Sequence, residues 1–198
     1  MTNSLYNKNR VLSCYAEFMK DCLRILILFC LYLGLVSCAN FPNKELIGKK
    51  LPNISGQSLD GKKWQMPQDF NGEPTLLIIG YKHKSQFDID RWLIGLDMKN
   101  ASIPTYELPT IKGMFPRMFS PLIDEGMRKG IPKPLWKGVI TIYKDGEKVQ
   151  RFTGNERAKT SRVILINDKA EIVYFHDKGF SVDELNKLIE KYEEITRK

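Results

Sequence analysis

TLLIIGYKHKSQFDIDRW, residues 75–92, decides how the chain folds. Thr75–Tyr81 is almost continuously apolar, the pattern of a strand covered on both faces. Ser85-Gln86-Phe87-Asp88 then fits a capping box with Ser85 as N-cap, and predicts a helix to about Asp97. Ile89, Leu93 and Leu96 share one face of that helix, bordered by Trp92. Asp88 and Asp90 fall in its first turn, where the helix dipole favours carboxylates. The loop that joins strand to helix, Tyr81-Lys82-His83-Lys84-Ser85, contains no cysteine.

On either side of this unit the pattern alternates. Leu51–Pro67 predicts a hairpin with Leu51–Ile54 and Lys63–Met66 as arms and Leu59-Asp60-Gly61-Lys62 as its turn. Ser102–Leu108 predicts a second strand, edge-like because of Pro104. GMFPRMFSPLIDEGMRKGIPKPLW, residues 113–136, has apolar side chains at roughly helical spacing, interrupted by Pro116 and Pro121 and ended by Gly130, Pro132 and Pro134. Most of its apolar positions are expected to cover the sheet. Gly138–Tyr143 reads as a strand and Lys144–Glu147 as a turn. Arg162–Asn167 is a buried strand, Asp168–Ala170 a tight turn and Glu171–His176 the returning strand. Ser181–Glu184 is a second capping box, opening a helix with Leu185, Leu188, Ile189, Tyr192 and Ile195 on one face. The order is hairpin, β, α, β, α, β, then a β-hairpin and a closing helix.

The chain has 198 residues, 42% hydrophobic, which supports one packed domain rather than two large ones. Its net charge of +8 favours anionic surfaces such as lipid headgroups. Basic and acidic residues are interleaved, so a nucleic-acid stripe is not expected. MKDCLRILILFCLYLGLVSCAN, from Met19 to Asn40, has a basic start and an apolar run from Ile25 to Val36, too short to span a bilayer comfortably. Its end, Leu35-Val36-Ser37-Cys38, resembles a bacterial lipobox. That resemblance implies cleavage before Cys38, lipid on its sulfur and acylation of the new amino group. Ala39 in place of aspartate leans toward the outer membrane. The expected organisation is a signal peptide over residues 1–37 (1–18 being an overcalled start), a lipidated tether over 38–50 and the folded domain over 51–198. The cysteines are Cys14, Cys22, Cys30 and Cys38. The expected mature domain therefore holds no free thiol, no disulfide and no cysteine ligand for a metal.

VILINDKAEIVYFHDKGFSVDELNKLIEKYEEI, residues 163–195, resembles the C-terminal half of redoxins and peroxiredoxin-like proteins. LPNISGQSLDGKKWQMPQDFNGEPTLLIIGY, residues 51–81, is similar to their entry hairpin and first buried strand. These resemblances imply a thioredoxin-like α/β fold, a central mixed sheet flanked by helices. A narrower resemblance is to bacterial relatives of the mitochondrial ATP synthase assembly factor Atp-ten. It rests on Ser85–Trp92, on the strand end Glu107-Leu108-Pro109, on Arg117, and on Ile123-Asp124-Glu125-Gly126-Met127-Arg128-Lys129-Gly130-Ile131-Pro132. That family implies a thioredoxin fold without the active-site cysteine pair, and a chaperone-like role for its mitochondrial member. The lipid anchor departs from the mitochondrial pattern.

Thiol redox catalysis needs a thiolate, and Ser85 cannot form a disulfide. The proline that usually precedes the late strand is replaced by Thr160-Ser161. His83 and His176 are the only histidines, so no metal cluster and no cofactor is expected; His83 with Asp88 and Asp90 reads as a solvated histidine beside first-turn carboxylates. The expected activity is non-catalytic: a lipid-anchored binding, assembly or chaperone module of the bacterial envelope with a protein partner. Gln86, Asp88, Asp90, Trp92, Arg117, Asp124, Gly126, Met127, Arg128 and Pro132 are its candidate binding residues. The methionines and aromatics of residues 114–136, with Arg117, Arg128 and Lys129, suit an adaptable protein or lipid contact. The alternative is an enzyme with a non-thiol site at His83, Ser85 and Asp88.

Overall fold

The computed structural model describes residues 19–20, 23–24 and 41–197. Residues 19–20 and 23–24 are helical. The rest of the expected signal peptide, with the lipobox and Cys38, lies outside the described residues. Among the described residues, no helix is long and apolar enough to cross a membrane. The chain divides into two units after Ala39, and the second is the domain.

Its sheet is built on β3 (Thr75–Gly80) and β4 (Thr105–Pro109), which pair in parallel. β6 (Arg162–Ile166) runs antiparallel on the other side of β3, and β7 (Ile172–His176) antiparallel beside β6. The order is β4-β3-β6-β7. A second sheet, ordered β2-β1-β5, comprises β1 (Ile54–Ser58), β2 (Lys63–Met66) and β5 (Ile140–Thr141). Parallel bridges from Glu107 to Val139 and from Thr110 to Ile142 join it to the β4 edge. β4 is thus covered by a neighbour, and Pro104 precedes it instead of marking a bare edge.

Strands β3 and β6 show why a continuous apolar run was needed. Leu77 and Ile79 of β3, with Ile164 and Ile166 of β6, face one apolar cluster completed by the hairpin residues Ile54, Trp64 and Met66. Their neighbours Leu76, Ile78, Val163 and Leu165 face a second. That second cluster is closed by α1 (Gln86–Met98), through Ile89, Trp92 and Leu96, and by α5 (Val182–Thr196), through Leu185 and Leu188. All members of both clusters fall between Leu46 and Ile195, so residues 40–198 carry complete cores. The fold is the expected one, a central mixed sheet flanked by helices.

Several boundaries differ from expectation. The first hairpin arm starts at Ile54 instead of Leu51. Residues 113–136 divide at the prolines into α2 (Met114–Met118), α3 (Ser120–Gly130, with Pro121 in its first turn) and a 3-10 turn at Lys133–Gly138. Neither α3 nor this turn contains a buried residue, so they do not cover the sheet as expected. The expected Gly138–Tyr143 strand shrinks to two residues. After it comes a helix that sequence patterning missed, α4 (Gly146–Thr153), with Val149, Gln150 and Thr153 buried. Gly146 is required there: a Cβ would come within 2.3 Å of the Ile111 carbonyl oxygen.

The expected tether is the other correction. From Phe41 onward it is packed on the domain. The Phe41 amide donates to Asn155 Oδ1 (2.6 Å) and the Asn155 amide to the Phe41 carbonyl (2.9 Å). The amides of Gly48 and Leu51 donate to the carbonyls of Ile172 and Ala170. Leu46 is fully buried. Polar composition concealed this arm because a few apolar anchors, spaced along extended chain, are enough to dock it.

Candidate functional site

The carboxyl ends of parallel strands, where helices diverge, are the usual place for a site in an α/β sheet. Gly80 and Pro109 are paired at those ends of β3 and β4. At Gly80 a Cβ would meet Ser85 Oγ at 2.7 Å and Ile89 at 2.9 Å, so glycine lets the chain fold straight back into α1. A cleft of about 860 Å³ opens there. Its floor is β4 along its length, with Thr105, Glu107 and Pro109, continuing to Thr110 and Ile111. One wall is the β3–α1 loop and the inner side of α1, through Tyr81, His83, Gln86, Ile89, Asp90 and Leu93. The facing wall is α3 and the segment after it, through Ile123, Gly126, Met127, Gly130, Ile131, Pro132 and Leu135. The α3 members recur at helical spacing, so one face of that helix is given to the cleft.

Glu107 is the chemical centre of the floor. Only 8% of it is exposed. Burial drives its carboxyl upward to about 7, the charge of Asp90 adds to the rise, and a hydrogen bond from Gln86 opposes it. The Gln86 amide also donates to Asp90 Oδ1 at 3.0 Å. A half-neutral carboxyl in an apolar cleft binds a hydrogen-bond donor or a cation. Sequence reasoning quoted Glu107 within the Glu-Leu-Pro strand end but did not select it. The available signal was one carboxylate inside an otherwise uncharged strand, TYELP.

Of the expected site residues, Gln86, Asp90, Gly126, Met127 and Pro132 come together in this cleft. The remaining five lie elsewhere. Asp88 turns away and accepts from the Ser161 amide (2.8 Å), the Ser161 hydroxyl (2.7 Å) and the Phe180 amide (2.7 Å). It ties α1 to the start of β6 and to the loop before α5, and this is why it is not a dipole carboxylate in solvent. Trp92 is fully buried in the α1–α5 core, its ring edge-on to Phe180 at 5.4 Å. Arg117 is exposed on α2. Asp124 accepts from the Tyr143 hydroxyl (2.9 Å), and Arg128 Nε donates to the Leu59 carbonyl (2.8 Å). These last two fasten α3 to the strand side and to the hairpin turn, so they position the cleft wall without lining it.

The arrangement at His83, Ser85 and Asp88 does not form a nucleophile with its base. The Ser85 hydroxyl donates to the Lys82 carbonyl (2.6 Å), within a 3-10 turn spanning His83–Ser85. It makes no side-chain cap to α1, correcting the capping-box expectation. Asp88 is occupied by its three donors. Among the described residues, no group of three or more His, Cys, Asp or Glu is placed to hold a metal ion.

No family model and no curated relative matches the chain. Among solved structures, a member of the Sco family of cytochrome c oxidase assembly proteins, in which a disulfide switch was identified, is similar with a TM-score of 0.53. Identity is 10%, over 78% of this chain and 97% of that one. A SCO1/SenC family lipoprotein from Bacillus anthracis is similar at 0.52, with 8% identity over 78% and 99%. A thiol peroxidase from Chromobacterium violaceum is similar at 0.50, with 12% identity over 79% and 92%. At such identities the likeness is one of fold: this chain has a thioredoxin-like domain.

Proposed function

We propose that the chain is a thiol-free thioredoxin-fold binding module, tethered to the bacterial envelope through lipid on Cys38, whose cleft takes an apolar segment of a partner protein. The observation that carries this reading is the cleft itself. It stands where this fold keeps its chemistry, but the wall given by α3 and the segment after it is aliphatic, the α1 wall mixes Ile89 and Leu93 with polar groups, and the buried carboxyl on the floor is Glu107. Residues 41–197 contain no cysteine, so no thiolate is at hand to attack a bound segment. A cleft with one aliphatic wall and a few buried polar groups gives affinity from its walls and orientation from its floor. The assembly role named for one fold neighbour, and the lipoprotein nature named for another, agree with this reading. The preference for the outer over the inner membrane rests on Ala39 alone.

The test is site-specific photocrosslinking in cells. A photoreactive residue replaces Met127 on the cleft wall or, as a control, the exposed Met98 at the end of α1. An adduct of defined mass from position 127 and none from 98 is expected. Absence of an adduct at 127, or the same adduct from both, contradicts the proposal. The anchor is tested separately: labelled palmitate is expected in wild-type protein and not in Cys38→Ala, and unlabelled wild type rules it out.

A further inference from the structure

The pole of the domain beside the cleft carries features that the cleft does not use. Met114 (74% exposed), Met118 (69%), Phe119 (55%) and Leu122 (71%) stand uncovered on α2 and the outer face of α3. Short amphipathic helices with large apolar side chains in contact with water mark an interaction surface. The exposed charge around them is one-sided: Arg117, Lys129, Lys133 and Lys137 against Glu125.

The chain enters the domain at the same pole. The Lys112 ammonium lies 5.3 Å from the centre of the Phe41 ring, and Met114 is two residues further on. Arg162 reaches Asn43 Oδ1 at 3.4 Å while its guanidinium lies 4.8 Å over the ring of Tyr81, a residue of the cleft wall. Cys38 is three residues before Phe41. Extended chain advances about 3.5 Å per residue, so a lipidated Cys38 lies within about 10 Å of Phe41.

We infer that α2 and the outer face of α3 form a membrane-contact surface that lies on an anionic phospholipid bilayer, with the cleft opening beside it. The apolar side chains enter the headgroup boundary and the lysines and arginines face the anionic lipid, the division of labour of interfacial helices. The partner segment that the cleft receives is then one that emerges at the bilayer surface. The inference deepens the tethered-module reading and takes its orientation from the anchor, but the contact belongs to residues 112–137 and is measurable without it.

Residues 40–198 are mixed with vesicles of phosphatidylcholine alone, or with added phosphatidylglycerol, and floated on a density gradient. The domain is expected to float with the anionic vesicles at least about tenfold more than with neutral ones. Replacing Met118→Asp and Leu122→Asp together is expected to abolish flotation. Met98→Asp, about 18 Å along α1 from Gln86, is expected to leave it unchanged. Both sites are exposed, and a cooperative thermal melt confirms that each variant is folded. Failure to float with anionic vesicles, equal flotation with neutral ones, or equal effects of the two replacements overturns the inference. So does a protein adduct formed from position 118 in cells without flotation, because it assigns the patch to a protein. Any of these results alongside a crosslink from Met127 leaves the cleft reading standing.

Discussion

At Glu107 the fold holds a carboxyl where water cannot fully reach it, and the consequence is a stability that depends on pH. Its folded value, about 7, lies above the ordinary 4.5. Between those values the native chain binds the proton more often than the unfolded chain, so this group's contribution falls as pH rises. Glu107→Gln is therefore expected to stabilise the domain at pH about 8, by on the order of 2–3 kcal/mol, and to change little at pH about 4. Urea unfolding at the two pH values checks this, and an equal effect at both contradicts it. Asp88, by contrast, contributes through the three hydrogen bonds it accepts. Asp88→Ala strands the Ser161 and Phe180 amides and should cost roughly 2–4 kcal/mol, whereas Asp90→Ala, exposed in the cleft wall, should cost under about 0.5. The sequence placed both aspartates in one helical turn, and helical spacing alone does not say which of them meets another segment. The same limit hid Glu107, which is bridged to Val139, arriving from further along the chain.

Among the elements, the strands and the closing helix were legible because their apolar periods are long and undisturbed. Ser181, read as an N-cap, does accept from the Glu184 amide at 3.2 Å, and Ser181→Ala should cost about 1 kcal/mol. Ser85, read the same way, is bonded to Lys82 instead; a capping box is a local pattern, and a tight turn before the helix competes for the same hydroxyl. The arm from Phe41 to Lys50 was misread as tether, because composition cannot see a docking groove. Removing residues 41–50 is expected to lower stability by at least the roughly 2–5 kcal/mol of losing one buried leucine, Leu46. Removing residues 1–39 should leave the melting temperature unchanged. Thermal melts of the two truncations decide between arm and tether. Helix α4 was missed for a related reason: it is one of the shorter helices, and the glycine that opens it looks like a turn until the Ile111 carbonyl is seen against it.

For the molecule as a whole, the fold class followed from strand order and a missing thiol narrowed the chemistry, while the cleft needed three dimensions. Ile123, Gly126, Met127 and Gly130 lie in a motif readable as a helix, yet only its fastening to Leu59 and Tyr143 turns one face of it into a wall. Gly126 gives the most direct test of that wall. A Cβ there meets nothing within 4 Å, so the space beside it is open. Gly126→Leu fills the cleft from a helical position and is expected to raise helix stability by about 0.5–1 kcal/mol. The decisive measurement is calorimetric titration of residues 40–198 with the partner segment mapped by the Met127 adduct, comparing wild type with Gly126→Leu. Binding weakened by at least about tenfold, roughly 1.4 kcal/mol, with an undiminished melting temperature is the predicted result. Equal affinity of the two proteins contradicts a cleft-bound segment.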